Sequence, residues 1–171
     1  ETAEIISNTN SNSIKNKKCK NDLGIVIHGM SGLDMRVSKC CSPVPGDEII
    51  GFITKGRGVS IHRTDCINVI NLLEDDRKRL IDANWSLDKT PAKEFLAEIR
   101  ITGEDRIGLL VDVTKIFTDE KISLKNINAR TVKTDFIIDV TITISDKSEL
   151  EYLCRKVKGV KGIYDIRRVT T

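Results

Sequence analysis

Aromatic side chains are scarce in this sequence: one Trp, two Tyr and four Phe make up 4% of its 171 residues. Stacking platforms for single-stranded nucleic acid need several exposed rings, so base stacking is excluded as the main grip on a nucleic-acid partner. No apolar run approaches the roughly 18 residues of a membrane span, and the Ser/Asn/Lys-rich start lacks the apolar core of a signal peptide. A soluble, cytoplasmic chain without membrane contact is expected. Histidine is limited to two residues, and neither a His-Asp metal-hydrolase cluster nor a Gly-rich phosphate loop is present. No catalytic residues and no organic cofactor are therefore expected. An excess of one charge is missing as well: basic and acidic residues number 4 and 2 in residues 1–20, 8 and 10 in 21–88, and 16 and 13 in 89–171. A dense cationic surface, which non-specific nucleic-acid binding requires, is excluded for either module. The five cysteines are an odd number with Cys40 and Cys41 adjacent, which fits cytosolic thiols or a metal site better than a disulfide framework.

What is present divides into a tail and two small modules. Residues 1–20 offer only Ile5, Ile6 and Ile14 as bulky apolar groups, too little burial to offset ordering entropy, and read as a disordered linker. Residues 21–88 form a small β-rich module. Short apolar runs at Ile25–Ile27, Met35–Val37, Ile49–Thr54 and Val59–Ile61 are punctuated by Gly, Pro and Asp, with Pro43-Val44-Pro45-Gly46-Asp47 a turn by composition. Ile67, Ile70 and Leu73 recur at helical spacing, which predicts a helix over about 65–75, and Leu80–Leu87 returns as a strand.

After a break at Lys89-Thr90-Pro91-Ala92, the third segment, 93–171, has a clear period. Phe95, Ala97, Ile99 and Ile101 alternate, which defines a strand. Leu109, Leu110, Val113, Ile116 and Phe117 follow the spacing of an amphipathic helix. Ile122–Val132 and the alternating Phe136–Ile144 flank a hairpin turn at 133–135. Asp146-x-x-Glu149 is a helix start, Leu150, Leu153, Cys154 and Val157 share one helical face, and Gly159 ends it before a last strand over 160–169. The fold class is α+β: a β-rich module followed by a ferredoxin-like βαββαβ domain with two helices on one face of a four-stranded sheet.

Two constellations carry chemistry. His62 and Cys66 stand four apart at the start of the predicted helix, and with Cys40 and Cys41 they make a Cys₃His set of zinc-ligand types. Adjacent cysteines are not the usual C-x₂₋₄-C knuckle, so buried apolar thiols are a second reading and a vicinal-thiol redox switch a third. Cys19 and Cys154 sit apart, and His28 reads as a polar edge residue. The other constellation is the turn from Gly103 to Leu110, where Asp105 has the look of an N-cap and Gly108 that of a packing glycine. A strand-to-helix turn of this kind offers N–H groups and a helix dipole to an anion.

The stretch Thr102-Gly103-Glu104-Asp105-Arg106-Ile107-Gly108-Leu109-Leu110 resembles the signature loop of ACT domains. The resemblance implies side-by-side homodimers and an amino acid held between this loop (Gly103, Asp105, Arg106, Ile107, Gly108, Leu109, Leu110) and Ile127, Asn128 and Ala129 of the neighbouring copy. Branched-chain amino acids are the ligands to try. Ser38-Lys39-Cys40-Cys41-Ser42-Pro43-Val44-Pro45-Gly46-Asp47, with Gly51-Phe52-Ile53-Thr54-Lys55-Gly56-Arg57-Gly58 and Ile61-His62-Arg63-Thr64-Asp65-Cys66, resembles the conserved-cysteine (zinc-finger or ribosome-intersubunit) module of long RelA/SpoT homologues. In that family an ACT domain follows it. The resemblance implies the regulatory end of a (p)ppGpp synthetase/hydrolase without its catalytic domains. Its implied partners are the ribosome, uncharged tRNA and the catalytic domains of the parent protein. Arg36, Lys39, Lys55, Arg57 and Arg63 are then the RNA-contact candidates, since Arg pairs bidentately with phosphate. A stand-alone amino-acid sensor is the alternative.

Overall fold

The computed structural model describes residues 23–27, 33–86 and 94–169. The linker expected over 1–20, Cys19, His28 and the 89–92 break lie outside them. The first module is a five-stranded sheet built from β1 (Ile25–Ile27), β2 (Met35–Val37), β3 (Ile49–Ile53), β4 (Val59–Arg63) and β5 (Leu80–Trp85), in the order β1-β5-β3-β4-β2. Its core is thin: Ile25, Ile27, Ile49, Val59, Ile61 and Ala83, flanked by Leu33, Met35, Ile81 and Trp85.

The helix expected over 65–75 is instead two single turns, α1 (Ile67–Ile70) and α2 (Glu74–Arg77), with no buried residue in either. Ile67, Ile70 and Leu73 are 45%, 52% and 76% exposed. Their helical spacing is real, but no second layer of the module covers it, so nothing rewards continuation of the helix past Asn71.

The second module has the expected βαββαβ order: β6 (Phe95–Glu104), α3 (Leu109–Asp119), β7 (Ser123–Val132), β8 (Asp135–Ile144), α4 (Lys147–Lys158) and β9 (Ile163–Arg168), with strand order β7-β8-β6-β9. The alternation places Ala97, Ile99 and Ile101 of β6 against Ile142, Val140 and Ile138 of β8 in register. All six are buried, together with Val113 and Phe117 of α3 and Leu150, Leu153 and Val157 of α4. Burial of each Val, Leu, Ile or Phe among them stabilises by about 1.5–3 kcal/mol. The Asp146 carboxylate accepts from the Glu149 N–H at 2.9 Å and the Glu149 carboxylate accepts from Ser145 N–H at 2.6 Å. This cap is worth about 1 kcal/mol and sets where α4 begins. On the face away from the helices, Asp139 of β8 is 12% exposed and accepts from Arg100 and Arg130. Both guanidiniums hold its carboxyl below its ordinary 3.8, against the opposing effect of burial.

Val44 comes from the first module, yet it is fully buried in the core of the second. Among the described residues no helix is long and apolar enough to cross a membrane.

Candidate metal centre and ligand loop

The fold brings Cys40, Cys41, His62 and Cys66 together. Cys40 and Cys41 occupy the turn after β2, His62 lies in β4, and Cys66 precedes α1, whose Val69 and Ile70 N–H groups bond to the Cys66 carbonyl. β2 and β4 pair in parallel, Val37 opposite Ile61, so the chain leaves β2 beside His62. The ligand-type atoms all lie within 4.8 Å of one another. The Cys40 Sγ stands 3.9 Å from Cys41 Sγ, 3.6 Å from Cys66 Sγ and 3.3 Å from His62 Nδ1, and Cys41 Sγ is 3.8 Å from that nitrogen. A tetrahedral metal with sulfur at about 2.3 Å and nitrogen at about 2.0–2.1 Å has ligand–ligand edges of about 3.5–3.8 Å. The adjacent cysteines therefore meet that requirement, and the sharp turn they need is supplied by Ser42 at φ 41.

Neighbours prepare these atoms. Ser38 Oγ lies 2.7 Å from His62 Nε2 and 2.6 Å from Ser60 Oγ. An Nε2–H donated to Ser38 leaves Nδ1 unprotonated and turned toward the sulfurs, as a metal-ligating imidazole needs. Burial lowers the His62 pKa, which keeps the ring neutral. The Arg63 N–H donates to Cys41 Sγ at 3.3 Å. Even so, burial pushes the Cys41 thiol up to about 12, with Cys40 and Cys66 adding to the rise. A buried thiol of this kind ionises readily only when a cation takes up the charge. The four residues thus form a cluster that could hold a metal ion.

The remaining predicted residues are distributed differently. Arg36, Lys39, Lys55 and Arg57 are exposed, and an Arg36 Nη donates to the Arg57 carbonyl at 2.5 Å. Arg63 does not share their exposure: its side chain is 13% exposed and paired with Asp65, and its Nη1 is buried without a partner among the described residues.

In the loop after β6, Gly103 lies at an irregularity in the β6–β9 pairing, and Leu109 is 1% exposed in the core. Asp105 does not cap α3. Its carboxylate accepts from Thr131 Oγ1 at 3.2 Å, and Gly108, at φ 85, takes the cap position with no side-chain cap. A Cβ on Gly108 would meet nothing within 4 Å. Its role is conformational, not packing, because left-handed backbone at that point suits glycine. Arg106 braces the loop by donating to the Lys161 carbonyl at 2.9 and 2.8 Å and to Asp112 at 2.7 Å. Ile107 is fully exposed and Leu110 36% exposed. Ile127, Asn128 and Ala129 lie on β7, which is exposed along its whole length and forms a sheet edge. A cleft of about 580 Å³ lies elsewhere, between the modules, lined by residues that include Arg63, Lys147, Cys154 and Arg168.

Three residues escaped the sequence reading. Ser38 stands at the start of the cysteine stretch, but nothing in the sequence gives it a contact with His62. Asp47 reads as a turn residue and Arg168 as a strand residue. Yet both carboxylate oxygens of Asp47 accept from Arg168, at 2.8 and 2.7 Å.

Comparison with known proteins matches each module to a family. The model of the RelA/SpoT RIS domain matches residues 25–86, and that of the ACT domain matches residues 91–168. The bifunctional (p)ppGpp synthase/hydrolase RelA of Mycobacterium tuberculosis is 38% identical over 151 residues, 88% of this chain and 20% of that protein. The GTP pyrophosphokinase of Streptomyces coelicolor is 34% identical over 158 residues, 92% of this chain and 18% of that protein. Among solved structures, the ACT domain from GTP pyrophosphokinase of Chlorobium tepidum is 26% identical, with a TM-score of 0.42 over 45% of this chain and 100% of that one. The chain spans about a fifth of the length of the curated relatives it matches.

Proposed function

With an RIS domain followed by an ACT domain, the chain belongs to the RelA/SpoT family as its regulatory region and holds no catalytic domain, and from that premise we propose a docking and sensing role. In this reading the RIS domain meets structured RNA of the ribosome and uncharged tRNA, and the ACT domain pairs with a second copy. The state of both is relayed to the catalytic domains of the whole protein.

The observation that carries the reading is the Cys₃His cluster with exposed Lys39 directly before Cys40, on the same β2–β4 pair that carries the exposed Arg36, Lys55 and Arg57 toward its other end. Zinc bound there would supply a cross-link between the turn after β2, β4 and the residue before α1, which the thin RIS core otherwise lacks. Cys40, Cys41, Cys66 and His62 Nδ1 are the donors, and Ser38 orients the ring. Lys39 is the residue before the centre, and Arg36 and Arg57 are held together by their own hydrogen bond. Rigid placement of cations suits recognition of phosphate backbone by shape. Co-sedimentation with ribosomes carrying deacylated tRNA tests this. Salt-sensitive pelleting of the chain or its full-length parent, reduced at least several-fold in a variant with Arg36, Lys39 and Arg57 replaced by Ala, is the expected result. Pelleting that is absent, or equal in parent and variant, overturns ribosome docking.

A second reading concerns the ACT domain alone. The uncapped start of α3 at Gly108, next to exposed Ile107 and Leu110, suits an amino acid whose carboxylate meets the helix N-terminus and whose side chain is apolar. Pairing through the exposed edge of β7 would bring Ile127–Ala129 of another copy to that loop. Calorimetry with valine, leucine and isoleucine tests it. Saturable heats that vanish in Gly108→Asp support sensing, and no heat with any of the three reduces the domain to a pairing role.

A further inference from the structure

We propose that the segment Ser42–Asp47 couples the cysteine centre to the ACT domain, so that metal bound by the centre holds the ACT domain docked on the RIS domain, and undocking weakens metal binding. The inference rests on the metal reading above and goes beyond it by giving the centre a mechanical output.

The segment begins one peptide bond from a ligand. Ser42 follows Cys41, takes a left-handed φ of 41, and is held by a bond from its N–H to the Ser38 carbonyl at 3.0 Å. Left-handed backbone is costly for a residue with a side chain and persists only where its surroundings fix it. One of those surroundings belongs to the other domain: the Ser42 carbonyl accepts from Arg168 Nη2 at 2.7 Å. Ser42 is therefore fixed on both sides, its N–H by the turn that carries the cysteines and its carbonyl by β9.

From Val44 to Asp47 each residue of the segment meets the ACT domain. Val44 is fully buried in the ACT core. The Pro45 carbonyl accepts the N–H of Lys147, the first residue of α4, at 2.8 Å. Gly46 has φ 95 and little room: a Cβ there would stand 3.1 Å from Lys147 Cβ. Asp47, 8% exposed, folds the segment back by accepting from the Val44 N–H at 2.9 Å while it receives Arg168 on both oxygens. Its carbonyl accepts from Trp85 Nε1 at 2.9 Å, and the Trp85 ring meets Phe95 of β6 edge-on at 5.6 Å. The single tryptophan of the chain thus sits at the junction and reports on it.

Arg168 cannot leave without stranding a buried carboxylate, and Ser42 cannot reorient without losing Arg168. In the metal-free centre the cysteine sulfurs are held only by weak sulfur hydrogen bonds, so the turn is free to relax. Coordination removes that freedom at one end of a segment six residues long. Two sites that bias one element are linked reciprocally. Whatever factor metal adds to docking, docking must add to metal affinity, and couplings of this kind are on the order of 5- to 150-fold.

The test uses the full chain, Co²⁺ as the metal probe read by its thiolate absorption, Trp85 emission, and amide exchange at Val44, Asp47 and Lys147. Removal of the metal with a chelator is expected to speed exchange at those three amides at least tenfold and shift Trp85 emission to the red, while Ile99 and Val140 in the ACT core stay protected. Arg168→Ala is expected to weaken Co²⁺ binding 5- to 150-fold with all four ligands present, Arg168→Lys less so, and Lys156→Ala not at all. Gly46→Val disturbs the same junction without touching either the salt bridge or a ligand, and serves if Arg168→Ala does not fold. Stoichiometric Co²⁺ binding whose removal leaves the three amides and Trp85 unchanged, or whose affinity is equal in parent, Arg168→Ala and Gly46→Val, overturns the coupling and leaves the metal centre standing. No Co²⁺ or Zn²⁺ uptake overturns both.

Discussion

Ser38→Ala isolates the preparation of the metal centre from the ligands themselves. The Ser38 hydroxyl lies 2.7 Å from His62 Nε2, where it would accept the ring N–H of the metal-ligating tautomer, and Ser38 is 8% exposed, so water does not replace it readily. Without it the imidazole loses the contact that keeps Nδ1 bare and aimed at the sulfurs, and a ring proton is left buried without a partner. Loss of such an orienting contact typically costs 10- to 100-fold in metal affinity, which is about 1.4–2.8 kcal/mol. The metal-free fold loses about 1–3 kcal/mol for the stranded N–H. A Co²⁺ titration against a competing chelator measures the first quantity and urea unfolding of the metal-free chain the second. Ser60→Ala, which touches Ser38 and not the ring, should lose less in both. Equal affinity in parent and Ser38→Ala, within twofold, would refute the assignment of His62 Nδ1 as a ligand oriented by Ser38.

Metal binding should also depend on pH with a definite sign. The Cys41 thiol, pushed up to about 12 by burial, is protonated at neutral pH and must release its proton to bind metal. Burial holds His62 below its ordinary 6.5, so it adds little to the proton release at pH 7 and above. Calorimetry in buffers of different ionisation heat should find at least one proton released per metal, with affinity rising by about tenfold per pH unit or more from pH 6 to 8; a pH-independent affinity contradicts it. In the ACT domain, Asp139→Asn removes a carboxylate held below its ordinary 3.8 by Arg100 and Arg130. A depressed carboxylate contributes stability that is fully present above 3.8 and is lost as pH falls through its lower folded value. Arg100 and Arg130 are 30% and 42% exposed, so the loss at pH 7 should be about 1–2 kcal/mol, not more. Urea midpoints should converge for parent and variant near pH 2, and a gap that persists there would assign the effect to packing. Phe117→Ala, at a position with no exposure, should cost about 3–5 kcal/mol by thermal melting, and a loss under 1 kcal/mol would contradict the described ACT core.

The βαββαβ domain was legible because each element buries one face against the same core. Ala97, Ile99 and Ile101 alternate and Val113 and Phe117 recur by four because the sheet and helix that carry them are two halves of one interior. The same rule misled at Ile67, Ile70 and Leu73, where helical spacing is present and the burying layer is not. The Cys₃His set was legible as a candidate site, with buried thiols and a redox pair open beside it, because the adjacency of Cys40 and Cys41 argues against ligation until the turn at Ser42 is seen. Arg63 has the composition of a surface cation and the placement of an interior one. Asp47 and Arg168 are 121 residues apart in sequence, and no local pattern marks two ordinary charges as partners. Val44 looked like part of a turn for the same reason: the core it fills belongs to another stretch of chain.

X-ray absorption at the zinc edge, on the chain loaded with one equivalent of Zn²⁺, tests the metal centre most directly. Three sulfur neighbours at about 2.3 Å and one nitrogen at about 2.0–2.1 Å are the predicted first shell, reduced by one sulfur in Cys66→Ser. A shell of oxygen and nitrogen alone, or a sulfur count unchanged by Cys66→Ser, would contradict the assignment of Cys40, Cys41, His62 and Cys66 as the site.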